Sequence, residues 1–213
     1  MVWLFIGHPA FNKVTADWPE AHEEEMAAFA RTIVHFRDGL VERSEAGARA
    51  GTITEAVAEA DALLLAVHWS RTAEVLAEAG DLDGKIVLNC CIPLDAADRD
   101  LVVGRTSSGA EELQKLRPGA RWVSAFSTTP SESFFPVHAR KGQIEPPHVM
   151  IYGDDAGAKE VAFALASDVG FDPQDTGGLR NARYVEPFAM ATVELAYVQP
   201  GPASWTYRFT KLR

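Results

Sequence analysis

Ala62-Leu63-Leu64-Leu65-Ala66-Val67 is an unbroken apolar run between Asp61 and His68. A strand apolar at both odd and even positions is buried on both faces, the signature of a central strand in a parallel sheet covered by helices. Upstream, Thr54 to Ala60 reads as a short helix, Thr32 to Phe36 as a β-branched and aromatic strand, and Glu20 to Arg31 as a strong helix former with acidic residues at its start. Val2 to Ile6 is a further apolar strand that ends at Gly7. Downstream, the pattern continues with a helix at Arg71 to Ala79, a turn at Asp83-Gly84, a strand at Lys85 to Cys90, a helix at Gly109 to Leu116 and a strand at Trp122 to Phe126. Sustained strand-helix alternation with short turns specifies an α/β fold, a Rossmann-like doubly wound parallel sheet.

Beyond it come the strand His148 to Gly153, a helix at Gly157 to Val169, the turn Gly177-Gly178 and one long helix from Asn181 to Tyr197 with Pro187 in its first turns. Residues 1–150 are therefore expected to form the dinucleotide-binding unit. Residues 151–213 are expected to add a strand and a helical appendage that completes the substrate cleft.

A chain of 213 residues with 47% hydrophobic and 23% charged residues has the composition of an ordinary globular protein and excludes a disordered or disulfide-built scaffold. The Ala62–Val67 run is far shorter than the roughly 18 residues of a membrane span, and no basic region precedes the first apolar run, so no membrane partner is expected. A formal net charge of -10 argues against nucleic acid as a partner. The only cysteines, Cys90 and Cys91, are adjacent and poorly placed to pair with each other, so a reducing compartment, the cytoplasm, is expected. Six histidines without ligand spacing and no second cysteine pair give no expectation of a metal site.

In doubly wound sheets, ligands bind beyond the carboxyl ends of the strands. That rule selects Gly7, Arg37, Val67-His68-Trp69 and Cys91-Ile92-Pro93 as cofactor-binding candidates, with His8 and Ala66 beside them. Gly7-His8-Pro9-Ala10-Phe11-Asn12 stands where a dinucleotide fold carries G-x-G-x-x-G. Only its first glycine is present, and Pro9 has no N–H to offer a phosphate. Arg37 follows the second strand, where an arginine pairs with the 2'-phosphate of NADP, and no acidic residue precedes it to hold a ribose diol. A solvated loop arginine is the other reading of that residue. His68 could touch a cofactor or relay a proton, or simply pack a loop. Hydroxyls at Ser127, Thr128 and Thr129, which follow the strand ending at Phe126, could orient a small substrate or cap a turn. No nucleophile elbow is present, and no residue is selected as catalytic.

Gly47-Ala48-Arg49-Ala50-Gly51-Thr52, Glu55-Ala56-Val57 and Ala60 to Val67 resemble the NADPH-dependent reductases of the deazaflavin coenzyme F-420. So do Asp83 to Asn89, Ile92-Pro93-Leu94, Ser107 to Leu113, Ala125 to Thr128, Gly178 to Pro187 with Met190, and the closing Trp205 to Arg213. The resemblance covers about residues 46 to 213 and lies in the order and spacing of these segments. It implies a Rossmann domain for NADP, a C-terminal helical part, and hydride passing between nicotinamide and a deazaflavin or flavin-like acceptor, the cofactors carrying the chemistry. On that resemblance Val67, His68 and Trp69 lie beside the nicotinamide half, Ile92-Pro93 under its ring, and Phe126-Ser127-Thr128 near the second ligand. His68 and Ser127 stand where the family usually has Pro and Asn, the loop before Arg37 is longer, and the glycine loop is missing. A non-catalytic nucleotide sensor or partner-binding relative is the rival reading. The apolar helix from Pro187 to Val198 is either a core helix or one side of a homodimer.

Overall fold

The computed structural model describes residues 3–4, 33–37, 40–44 and 52–212. The expected helix at Glu20 to Arg31, and Gly7 and His8, lie outside the described residues. A first sheet holds β1 (Trp3–Leu4), β2 (Ile33–Arg37) and β3 (Leu40–Ser44), with β1 parallel to β2 and β3 antiparallel to it. Arg37, expected just after a strand, is the last residue of β2 and stands opposite Leu40.

The second sheet has the order β4 (Ala62–Leu65), β5 (Ile86–Asn89), β6 (Arg121–Ser124), β7 (His148–Gly153), β8 (Asp172–Asp175). β1 lies alongside β4. Strands β4, β5 and β6 are mutually parallel, with Leu63 beside Val87 and Val87 beside Trp122. The architecture is the Rossmann-like α/β fold read from the sequence, mostly parallel rather than wholly so. β7 runs antiparallel to β6, and β8 runs parallel to β7. The reversal has a consequence for function: the exit of β6 and the entry of β7 share the carboxyl edge of the sheet. β7 spans residue 150, so strand pairing joins the C-terminal segment to the rest of the sheet.

Helices cover both faces, and the alternation of the strands decides what each face buries. Leu63, Leu65, Val87, Trp122, Met150 and Tyr152 face α1 (Ile53–Glu59), α2 (Thr72–Glu78), α3 (Gly109–Leu116) and α6 (Ala182–Val193) in one core cluster. Ala62, Leu64, Ile86, Leu88, Val123, Val149 and Ile151 face α4 (Phe134–Ala139) and α5 (Ala156–Val169) in the other. On α5 the buried residues Ala158, Ala162 and Ala166 recur every four positions, so small side chains let that helix lie close on the sheet. Cutting a fully buried residue such as Leu88 to Ala would cost about 2–5 kcal/mol.

The helix ends are written locally. Thr52 and Glu55 form a reciprocal capping box at α1, Ser108 accepts Glu111 N–H at α3, and Asp155 accepts Ala158 N–H at α5. Gly170, at φ 117°, closes α5 with its N–H on the Ala166 and Ser167 carbonyls. The long C-terminal helix is α6 followed by a π-helical turn, Glu194–Val198. An extended tail then returns to the sheet, where Tyr207 bridges to His148.

Candidate functional site

The exits of β4, β5 and β6, the entry of β7 and the C-terminal tail meet at one edge. At the β4 exit, Val67 is buried while His68 and Trp69 are only partly so. His68 Nδ1 accepts Ser70 N–H at 3.2 Å and lies 2.7 Å from Ser70 Oγ. The other nitrogen, Nε2, therefore carries the proton and donates it to Asp98 Oδ1 at 2.8 Å. Asp98 is held there by a tight turn. Asp95 Oδ1 accepts the N–H groups of Ala97 and Arg99 at 3.1 and 2.8 Å, and Asp98 itself takes φ 55°. Those N–H groups, Arg99 first, hold the Asp95 carboxyl below the usual carboxylate range.

At the β5 exit the buried Asn89 donates to Ser124 Oγ at 3.2 Å and accepts Cys91 N–H at 3.0 Å, which fixes the turn leading to Ile92 and Pro93. The Cys91 side chain points into the core, its Sγ 3.4 Å from the Leu65 carbonyl, so the turn presents Cys91 by its backbone. Burial pushes the Cys91 thiol up to about 12. Pro93 is buried against Gly109, where a Cβ would stand 2.9 Å from Pro93 Cδ.

The Glu186 carboxylate, on α6, closes the same corner. It accepts Gly109 N–H at 2.8 Å and Ala110 N–H at 2.9 Å. Burial raises its pKa to about 7 against the lowering effect of these two N–H donors, with Glu111 adding to the rise. Tyr152 is fully buried and kept protonated, first by burial and then by the nearby Glu186 charge.

At the β6 exit Phe126 takes φ 66°, the left-handed region that non-glycine residues rarely adopt. It stacks into a cluster with Phe134 and Phe171 at centroid distances of 5.1 and 6.2 Å. Ser127 Oγ lies 3.2 Å from Tyr152 OH, and Thr128 Oγ1 lies 2.7 Å from Tyr207 OH. Thr129 Oγ1 is buried with no hydrogen-bond partner among the described residues.

The structure thus brings Ala66 to Trp69, Cys91 to Pro93 and Phe126 to Thr128 to one edge of the sheet. Arg37 ends β2 in the neighbouring sheet, and Gly7 and His8 lie outside the described residues. Sequence reasoning did not select Asn89, Asp98, Tyr152, Glu186 or Tyr207. For Glu186 a signal existed: Ala182, Val185, Glu186 and Ala189 form one buried stripe at helical spacing, and a carboxylate on such a stripe demands partners.

The fold defines the class, a Rossmann-like α/β protein whose strand exits gather at one carboxyl edge. Within that class, residues 20–93 match the family described as NADP oxidoreductase, coenzyme F-420-dependent. The resemblance read from the sequence therefore holds, although its range differs. The match reaches upstream of residue 46, begins after Gly7 and His8, and stops at Pro93.

The chain is 31% identical over 132 residues to the metalloreductase STEAP3 of Rattus norvegicus, covering 62% of this chain and 25% of that protein. It spans only a quarter of that relative's length. A candidate F-420-dependent NADP-reductase from Arthrobacter sp. FB24 matches at TM-score 0.68 and 26% identity, over 78% of this chain and 76% of that one. Plasmodium falciparum pyrroline carboxylate reductase with NADP bound matches at TM-score 0.53 and 10% identity, over 95% and 81% of the respective chains. That last likeness bears on the fold alone. Among the described residues, no helix is long and apolar enough to cross a membrane.

Proposed function

We propose that the protein is an NADPH-dependent reductase that passes hydride to a deazaflavin, F-420, or to a flavin-like acceptor. The observation that carries this reading is the convergence of three strand exits on one edge, with His68–Asp98 and Ile92–Pro93 on one side and Phe126 to Thr128 on the other. The family match over residues 20–93 and the NADP-reductase likeness support it.

The described residues fit the nicotinamide-ribose half of NADP. Ile92 offers a partly exposed apolar surface backed by the buried Pro93, and the strand-end imidazole of His68, held by Asp98, offers a polar group suited to ribose hydroxyls. Arg37 would pair with the 2'-phosphate. The bound dinucleotide supplies the hydride, and the chain's own work is to orient the two rings and exclude water. The aromatic cluster behind Phe126 and the Tyr207–Thr128 contact would form the acceptor side.

Mixing the protein and NADPH with oxidised deazaflavin tests the acceptor. Bleaching of the deazaflavin absorbance supports the reading, and an unchanged spectrum with NADPH bound removes that acceptor. The absent glycine loop at Gly7 to Asn12 favours one rival, a non-catalytic nucleotide sensor or partner-binding module. Failure to bind either dinucleotide would favour that rival.

Two further parts of the reading concern the protein's setting. A second copy of the chain is assigned to the exposed Leu195, Tyr197 and Val198, and a monomer in sedimentation equilibrium would remove that assignment. The free thiols of Cys90 and Cys91 support a cytoplasmic setting.

A further inference from the structure

We infer that Glu186 is a positioning residue: from α6 its carboxylate holds the first turn of α3 against the buried Pro93, and so fixes the turn that presents Ile92, where the nicotinamide half of the cofactor would rest. The inference rests on the proposed function for its last step only. Everything before that step is geometry.

The first N–H groups of a helix have no partner within the helix. In α3, Ser108 satisfies Glu111 N–H, and Glu186 takes those of Gly109 and Ala110 with one oxygen each, at 2.8 and 2.9 Å. The carboxylate is 1% exposed and reaches across 76 and 77 positions of sequence to do so. The contact is tight on its other side as well. A Cβ on Gly109 would lie 2.9 Å from Pro93 Cδ and 3.2 Å from Glu186 Oε1, so Pro93, Gly109 and Glu186 are packed as one unit. Movement of the carboxylate is therefore felt at Pro93.

No cation compensates this charge among its described neighbours. Arg183, on the same helix, is engaged with Glu111 of α3 at 2.6 and 2.8 Å. The groups facing Glu186 are Glu111 from α3, Tyr152 from β7 and Cys91 from the β5 exit. Tyr152 and Cys91 are held protonated by burial, and Glu111 is anionic, so the two N–H donors and the dipole of α3 alone favour the carboxylate. Proton uptake converts one oxygen into an O–H donor facing an N–H, which breaks one of the two bonds. The packing of Pro93 behind Ile92 should then loosen as pH falls through about 7.

The test is NADPH affinity by fluorescence titration between about pH 8 and about pH 6, on the wild type and Glu186→Gln. The wild type should lose about three- to tenfold in affinity across this range, the effect of losing one hydrogen bond of ordinary net strength. Glu186→Gln should bind weakly throughout and lose most of that pH dependence. Wild-type affinity with an unaltered pH profile in the variant would overturn the inference.

Amide resonances of Gly109 and Ala110 in the wild type give a readout that needs neither the variant nor the dinucleotide. Titration with a midpoint near about 7 supports the latch, and resonances that do not move overturn it. If the wild type binds no NADPH, the reductase reading fails by itself and the latch stands or falls on those two amides.

Discussion

The Tyr207 hydroxyl sits 2.7 Å from Thr128 Oγ1 and accepts the N–H of Met150 at 3.2 Å. The contact follows from how β6 ends. The β6–β7 pairing stops at Ser124 opposite Tyr152, and Phe126 then turns the chain away at φ 66°. His148 and Met150 are left with N–H groups that β6 does not meet. The C-terminal tail takes both: the Tyr207 carbonyl accepts His148 N–H at 2.9 Å and its hydroxyl accepts that of Met150. T-shaped contacts of Tyr207 with Phe188 and Phe209, at 5.3 and 5.4 Å, hold the ring in place.

Tyr207→Phe keeps the ring and removes the hydroxyl. It should cost about 1–3 kcal/mol of stability, the penalty for leaving a partly buried donor unmet. Urea denaturation of the two proteins measures this. A loss within error of zero would show that water replaces the hydroxyl at no cost. On the proposed function, the variant should also raise the KM for the acceptor more than the KM for NADPH.

Asp98 fixes which nitrogen of His68 bears the proton, so Asp98→Ala frees the imidazole to change tautomer or rotate. On the proposed function, kcat/KM for NADPH oxidation should fall about tenfold or more, the effect of losing one hydrogen bond to a charged group. The melting temperature should change little, since Asp98 is itself partly exposed. An unchanged kcat/KM would remove His68 from the site.

The pH dependence of stability should show two components of opposite sign. Glu186 has a pKa raised to about 7 in the folded state, so the fold binds its proton more tightly than the unfolded chain does. Its contribution is most favourable below the unfolded carboxyl value of about 4.3 and is lost as pH rises to about 7. Asp155 is held down to about 2 by the Arg121 guanidinium, so its contribution is present above the unfolded value of about 3.9 and lost as pH falls toward about 2. Thermal melts of Glu186→Gln should lack the first component, and melts of Asp155→Asn the second.

Cys91 should resist iodoacetamide at neutral pH, because burial keeps its thiol protonated up to about 12 and the thiolate is the reactive form. Mass spectrometry before and after denaturation distinguishes protection in the fold from an inert reagent. Rapid modification of Cys91 in the native protein would contradict the buried placement.

What the sequence made legible was the buried sheet. Ala62 to Leu65 and Ile86 to Leu88 are apolar on both faces, the pattern of strands covered by helices on both sides, although β4 stands at the end of its five-strand order rather than at the centre. The β2–β3 pairing was missed, although Asp38-Gly39, between the paired Arg37 and Leu40, is a dipeptide that favours two-residue hairpins. β8 was missed because Asp172-Pro173-Gln174-Asp175 has no apolar alternation; its proline, which lacks an N–H, is tolerated at the sheet edge. The strand exits were found by topology, since the carboxyl edge of such a sheet is fixed once the strands are known. Their supports were not. Tyr207 meets Thr128 and Met150 across 79 and 57 positions of sequence, and no local pattern encodes a contact of that range.

The most direct test of the central claim is a thermal-shift titration of the purified protein with NADPH and NADH in parallel. At about a hundredfold excess over Kd, binding stabilises the native state by about 2.7 kcal/mol, which raises Tm by about 5–10 °C for a chain of this size. A rise with NADPH and a clearly smaller one with NADH is the predicted result and would support Arg37 as a 2'-phosphate contact. No shift with either dinucleotide would contradict the reductase and leave a Rossmann-like protein that does not use this cofactor.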